Sequence, residues 1–145
     1  MPASEPATTR HSLSLSLACD LHAVRRAGRE LRRFLSEHHC APADVIDSEI
    51  VLVEACNNAI QYAQGPGRSQ PVLVHASWEP PRSIELRITD HTPGFDWPEQ
   101  VALPDTESER GRGLYLIRAL MAHAEYIRGT AENILVLRRL LGTSS

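Results

Sequence analysis

Residues 47–63 read DSEIVLVEACNNAIQYA, and the reading of the whole chain turns on them. Ile50, Val51, Leu52, Val53, Ala55, Ala59, Ile60 and Ala63 are too continuous for one stripe of a surface helix. They predict a helix buried on most sides. Glu54 and Asn58 interrupt that run one helical turn apart, which stacks them on one face with Asn57 and Gln61 beside them. A carboxylate and a carboxamide on a buried helix need hydrogen-bond partners or a cavity to face. A capping or core polar pair meets that need, and so does the wall of a site.

Upstream, HSLSLSLAC at residues 11–19 alternates leucine and serine with the period of a half-buried strand. Asp20 is placed to cap the next segment, where Leu21, Val24, Gly28, Leu31, Phe34 and Leu35 recur at helical spacing. The same helix carries Arg25, Arg26, Arg29, Arg32 and Arg33 on a broad polar face, suited to water or to an acidic protein partner. The break at residues 41–44, APAD, starts the long helix described above.

Downstream, GPGRSQP from Gly65 has the chemistry of a loop. Two strand-like runs, residues 71–78 and 83–89, flank a turn at 79–82 and predict a hairpin. Residues 90–110 lack periodicity and carry Pro93, Pro98 and Pro104, as a functional lid would. Leu114, Ile117, Leu120 and Met121 predict a third helix, and residues 124–128 and 134–140 a closing hairpin around a turn containing Gly129. Three helices on one face of a mixed, mostly antiparallel sheet make an α+β two-layer sandwich. Residues 1–10 are expected to be a flexible leader, 11–141 one domain and 142–145 a tail.

The chain has 145 residues, 42% hydrophobic and 23% charged, a globular balance. All fifteen basic residues are arginine, yet the formal net charge is −3, against the broad phosphate-backbone attraction of a nucleic-acid binder. No run approaches the roughly 18 apolar residues of a membrane span. Cys19, Cys40 and Cys56 form no CxxC pair and are expected to be free thiols in the cytoplasm. His38-His39-Cys40 lacks a second cluster to complete a metal site.

Two further motifs accompany the buried helix. In ITDHTPGFD, residues 88–96, a strand ends in Asp90 and Gly94 follows. An acid at a strand end accepts hydrogen bonds from an exocyclic amine, and a glycine lets backbone approach a flat ring; ordinary turn chemistry also fits. In ERGRGLYLIRAL, residues 109–120, Gly111 and Gly113 lie just before an apolar helix, where exposed N–H groups suit phosphate.

Taken together, the three motifs resemble those of the GHKL (Bergerat-fold) ATPases, and within them the RsbW-like and SpoIIAB-like anti-sigma-factor serine kinases. Glu54-Ala55-Cys56-Asn57-Asn58-Ala59 looks like their N box, residues 90–96 like the G1 box, and Gly111-Arg112-Gly113-Leu114-Tyr115-Leu116-Ile117 like the G2 box. The resemblance implies a Bergerat ATP-binding fold using ATP and Mg²⁺. Asn58 would ligate Mg²⁺ and Glu54 would be the base that deprotonates an attacking serine. Asp90 would read the adenine amine with Gly94 beneath the ring, residues 97–110 would form the lid, and Gly111, Arg112, Gly113 and Leu114 would complete the phosphate side.

It further implies a small STAS-type antagonist protein as substrate, a sequestered sigma factor, and a homodimer. Thr92 stands where the first G1 glycine belongs, Arg110 and Tyr62 depart from the frequent glycine and histidine, and Ala122 from a frequent aspartate. Thr92 bears on nucleotide affinity rather than on fold, and it favours a second reading: a catalytically inactive binding module acting by protein contacts alone.

Overall fold

A computed structural model describes residues 10–62, 70–80, 82–91 and 109–141. In chain order the elements are β1 (His11–Leu17), α1 (Leu21–Glu37), α2 (Pro42–Tyr62), β2 (Val72–Glu79), β3 (Ser83–Asp90), α3 (Glu109–Leu120), β4 (His123–Arg128) and β5 (Asn133–Leu140). The leader and tail expected from the sequence, and the 65–69 loop, lie outside the described residues.

Helix α1 begins where its capping chemistry says it should. Asp20 is extended, and its Oδ1 accepts from the Ala23 N–H at 2.8 Å. The apolar stripe Val24, Ala27, Leu31 and Leu35 is buried, and the five arginines face outward. At the other end His39 adopts φ 63°. The N–H groups of His39 and Cys40 reach back to the Ser36 and Leu35 carbonyls, a Schellman stop with histidine where glycine is usual.

The HHC run is therefore a helix end tied down by packing. The His38 ring stacks on His11 with centroids 3.9 Å apart, and its carbonyl accepts from the Trp78 indole at 3.2 Å. Gly28 lets α1 lie close to α2, since a Cβ there would come within 3.0 Å of Val53 Cγ2.

The five strands run in the order β1-β2-β3-β5-β4. Every pairing among the described strands is antiparallel, where the sequence suggested some parallel content. The cause is the last crossover. From β3 the chain passes through α3 to the outer strand β4, then turns back so that β5 inserts between β3 and β4, opposed to both.

One face of the sheet carries the helices. Leu31 and Leu35 of α1, Val51, Leu52 and Cys56 of α2 and Ile117 of α3 share a core with Val72, Val74, Ile84, Leu86, Ile88 and Leu137. A fully buried leucine of this kind stabilises the fold by about 1.5–3 kcal/mol. Helix α2 is the middle of the helix layer, packed against both α1 and α3 and onto β2 and β3.

One side chain frames the layer. Arg139 of β5 donates to Asp44 Oδ1 at 2.8 Å and to the Leu120 carbonyl at 2.7 Å, and pairs with Asp47 Oδ2 at 2.8 Å. A single guanidinium thus joins the first turns of α2 to the last turn of α3.

Candidate nucleotide site

Helix α2 presents Ala55, Asn58 and Ala59 to a small pocket whose floor is Ile88 and Asp90 of β3 and whose far side is Leu135 and Tyr126. Small residues on α2 leave the gap; larger ones would fill it against the sheet. Asn58 is 7% exposed, and its Nδ2 finds no hydrogen-bond partner among the described residues. Neighbouring Asn57 has a buried Oδ1 in the same condition. Orphaned buried amides are costly, so an unfilled amide lining a pocket marks a place that a polar ligand or an ion completes. An orphaned amide donor beside a buried carboxylate fits the polar groups of a nucleotide on that ground.

Asp90 ends β3 and is 4% exposed. Its register partner on β5 is Asn133, 1% exposed, whose Nδ2 donates to Asp90 Oδ1 at 3.0 Å. The carboxylate is thereby oriented at the edge of the pocket. Sequence reasoning missed Asn133, because an asparagine after Gly129 reads as turn chemistry. The available signal was its place at the head of the apolar run ILVL, opposite Asp90 once the strands are aligned.

Glu54 sits one turn before Asn58 on α2, half-buried, outside the pocket wall that Ala55, Asn58 and Ala59 form. The second phosphate feature is altered. Helix α3 starts at Glu109, so Gly111 and Gly113 lie within its opening turns and do not precede it. The sequence places the glycines just before the helix, yet helices tolerate glycine at their ends. The first four N–H groups of a helix have no intrahelical acceptor, so Gly111 and Arg112 still contribute free donors there. Leu114 is buried, with its side chain outside the pocket lining. Gly94 and Thr92 lie outside the described residues.

The histidine kinase-like ATPase domain family matches residues 17–139, which include Glu54, Asn58, Asp90 and the 111–117 segment.

The chain belongs to this family.

Within it, the serine-protein kinases RsbW of Bacillus thuringiensis and Bacillus anthracis are 26% identical over 104 residues, 66% of this chain. The alignment spans 64% of those relatives' own length. Two solved structures share the fold. The RsbU and RsbW domains of a Mycobacterium tuberculosis protein superpose with TM-score 0.68 at 21% identity, covering 90% of this chain and 32% of that one. The SiaB–SiaC complex from Pseudomonas aeruginosa gives 0.65 at 18% identity, covering 89% of each chain. This histidine kinase-like ATPase domain therefore has an RsbW-like architecture, and its described helices include none long and apolar enough to cross a membrane.

Proposed function

We propose that this chain is an ATP-dependent protein-serine kinase and anti-sigma factor. It would phosphorylate a small STAS-type antagonist in the cytoplasm and sequester a sigma factor, switching transcription by exchange of partners. The observation that carries the ATP reading is the buried Asp90–Asn133 pair set beside the orphaned amide of Asn58. The kinase and partner readings are supported by the likeness to RsbW.

Each residue has a role in this reading. Asp90, steadied by Asn133, accepts from the exocyclic amine of adenine. Asn58 offers its amide oxygen to Mg²⁺; the two ends of an amide exchange by rotation, so the orphaned end can be donor or ligand. Bound Mg²⁺ supplies positive charge against the phosphate oxygens. The opening N–H groups of α3, with the bare backbone of Gly111 and Gly113 and the charge of Arg112, receive the terminal phosphates. Buried Leu114 seats that end of α3. Glu54 takes the proton of the partner's serine hydroxyl on a carboxylate oxygen. The outward arginines Arg25, Arg26, Arg29, Arg32 and Arg33 suit an acidic partner surface, although Arg32 already pairs with Glu49 and Arg33 with Glu30.

Calorimetric titration of wild type and Asn58→Ala with ATP, with and without Mg²⁺, tests the site. Metal-dependent binding lost in the variant supports the reading. No binding by wild type sinks it, and favours the second one, a binding module in which Thr92 has cost the fold its nucleotide.

A further inference from the structure

On the face of the sheet turned away from the helices, most arginines sit against an acid. Arg10 and Arg82 reach Glu79, and Arg138 reaches Glu85. One spot differs. Register sets Ser14, His75 and Arg87 side by side across β1, β2 and β3, and Ser16, Leu73 and Thr89 side by side in the next row. These six line an open groove of about 430 Å³, and among the described residues no acidic side chain lines it.

The polar groups of the two rows are arranged to donate. Ser14 Oγ lies 3.0 Å from His75 Nδ1, and with the hydroxyl donating, Nε2 of the imidazole carries the remaining N–H. Arg87 is held among the described residues only at Nε, 3.5 Å from Glu85 Oε2, which leaves its two terminal nitrogens open. Glu85 itself stands one row further on, with its other oxygen taken by Arg138 at 3.1 Å. Ser16 and Thr89 add two hydroxyls.

Four donor groups, one of them a cation, exceed what the two oxygens of a carboxylate absorb and suit the three oxygens and higher charge of a phosphate. Between Ser16 and Thr89 stands Leu73, 40% exposed, an apolar contact for the carbon that carries the phosphate. We infer that this groove binds a phosphate monoester. The two rows span about 10 by 7 Å, small enough for one ester to touch both. Arg87 and Thr89 alternate along β3 with Ile88 and Asp90, which line the nucleotide pocket on the opposite face. The groove is a separate site, and the inference is independent of the nucleotide reading.

Two-dimensional NMR on the full chain, with no nucleotide present, reads which residues a ligand touches. The probes are free phosphoserine and an alanine peptide carrying one phosphoserine, with serine as the control. Signals of Ser14, His75, Arg87 and Thr89 should move with phosphoserine, at a dissociation constant of about a millimolar, and stay still with serine. A peptide that binds about tenfold tighter than free phosphoserine assigns the ester to a phosphorylated protein, and equal binding assigns it to a free phosphate ester; either supports the site. Arg87→Gln should weaken binding by about tenfold. Glu85→Gln removes the acid that competes for Arg87 and should strengthen binding by about threefold, an effect opposite in sign to damage. Circular dichroism melts confirm that each variant is folded. Shifts confined to Asn58 and the opening turns of α3 would put the phosphate in the nucleotide site and overturn the inference. So would no shift at all, an affinity indifferent to Arg87→Gln, or one that Glu85→Gln weakens.

Discussion

Asn133 and Asp90 close the register between β5 and β3, and the amide of one donates to the carboxylate of the other at 3.0 Å with both side chains out of water. The pair holds the Asp90 carboxylate in one orientation at the end of β3. Asn133→Ala should lower ATP affinity by about tenfold and cost about 1–3 kcal/mol of stability, read by calorimetry and by urea unfolding. Unchanged affinity in a folded variant would detach Asn133 from the site.

Glu54 and Asn58 lie one turn apart but are assigned separable tasks. Glu54→Gln keeps the shape and removes the proton acceptor, so phosphoryl transfer to the partner should fall by about a hundredfold or more while ATP binding stays within about twofold. Single-turnover transfer and equilibrium binding, measured side by side, check it. Equal losses in both would return Glu54 to a structural role.

The turn that delivers Asn133 depends on Gly129. A Cβ there would stand 2.5 Å from the Glu132 carbonyl oxygen, a contact with backbone that no rotamer change relieves. Gly129→Ala should cost about 1–3 kcal/mol in urea unfolding and weaken ATP binding, because the displaced segment runs straight into Asn133.

Buried thiols give the alkaline limb of the stability profile. Burial pushes Cys56 up to about 12, and burial together with the Asp44 charge pushes Cys40 up to about 11, from an ordinary 9.0. The folded chain holds both thiols neutral while the unfolded chain ionises nearer 9. Their contribution is intact below pH 9 and is lost as pH rises toward 11 and 12. Unfolding free energy measured from pH 8 upward should fall, and Cys56→Ala should flatten part of that fall.

Arg139 makes a fourth structural test. Arg139→Met leaves Asp44, Asp47 and the Leu120 carbonyl without their shared donor and should cost about 2–4 kcal/mol by thermal or urea unfolding. A loss under about 0.5 kcal/mol would reduce the clamp to a surface ion pair.

Local signals in the sequence were reliable where the chemistry is local. The Asp20 cap, the amphipathic α1, the buried α2 and both hairpins follow from residues within a turn or a strand of one another. Asn58 was legible as a polar residue interrupting an apolar run, and Asp90 as an acid at the end of a strand. Arg139 was not, since its partners Asp44 and Asp47 lie some ninety residues away and an arginine in a strand normally reads as solvent-facing. Nor was Asn133, whose meaning depends on a register set by β5 lying next to β3. The opening of α3 was misplaced because two glycines outweighed the continuity of the helix after them.

The insertion of β5 between β3 and β4 has a consequence for how the molecule comes into being. During synthesis every other element of the fold emerges first, and the nascent sheet must wait with β3 unpaired on one side. The arriving strand then brings Asn133 to Asp90 at one end and Arg139 to the helix layer at the other. Its docking completes the sheet, the Asp90–Asn133 pair and the Arg139 clamp in a single event, and a chain stalled before residue 133 lacks all three.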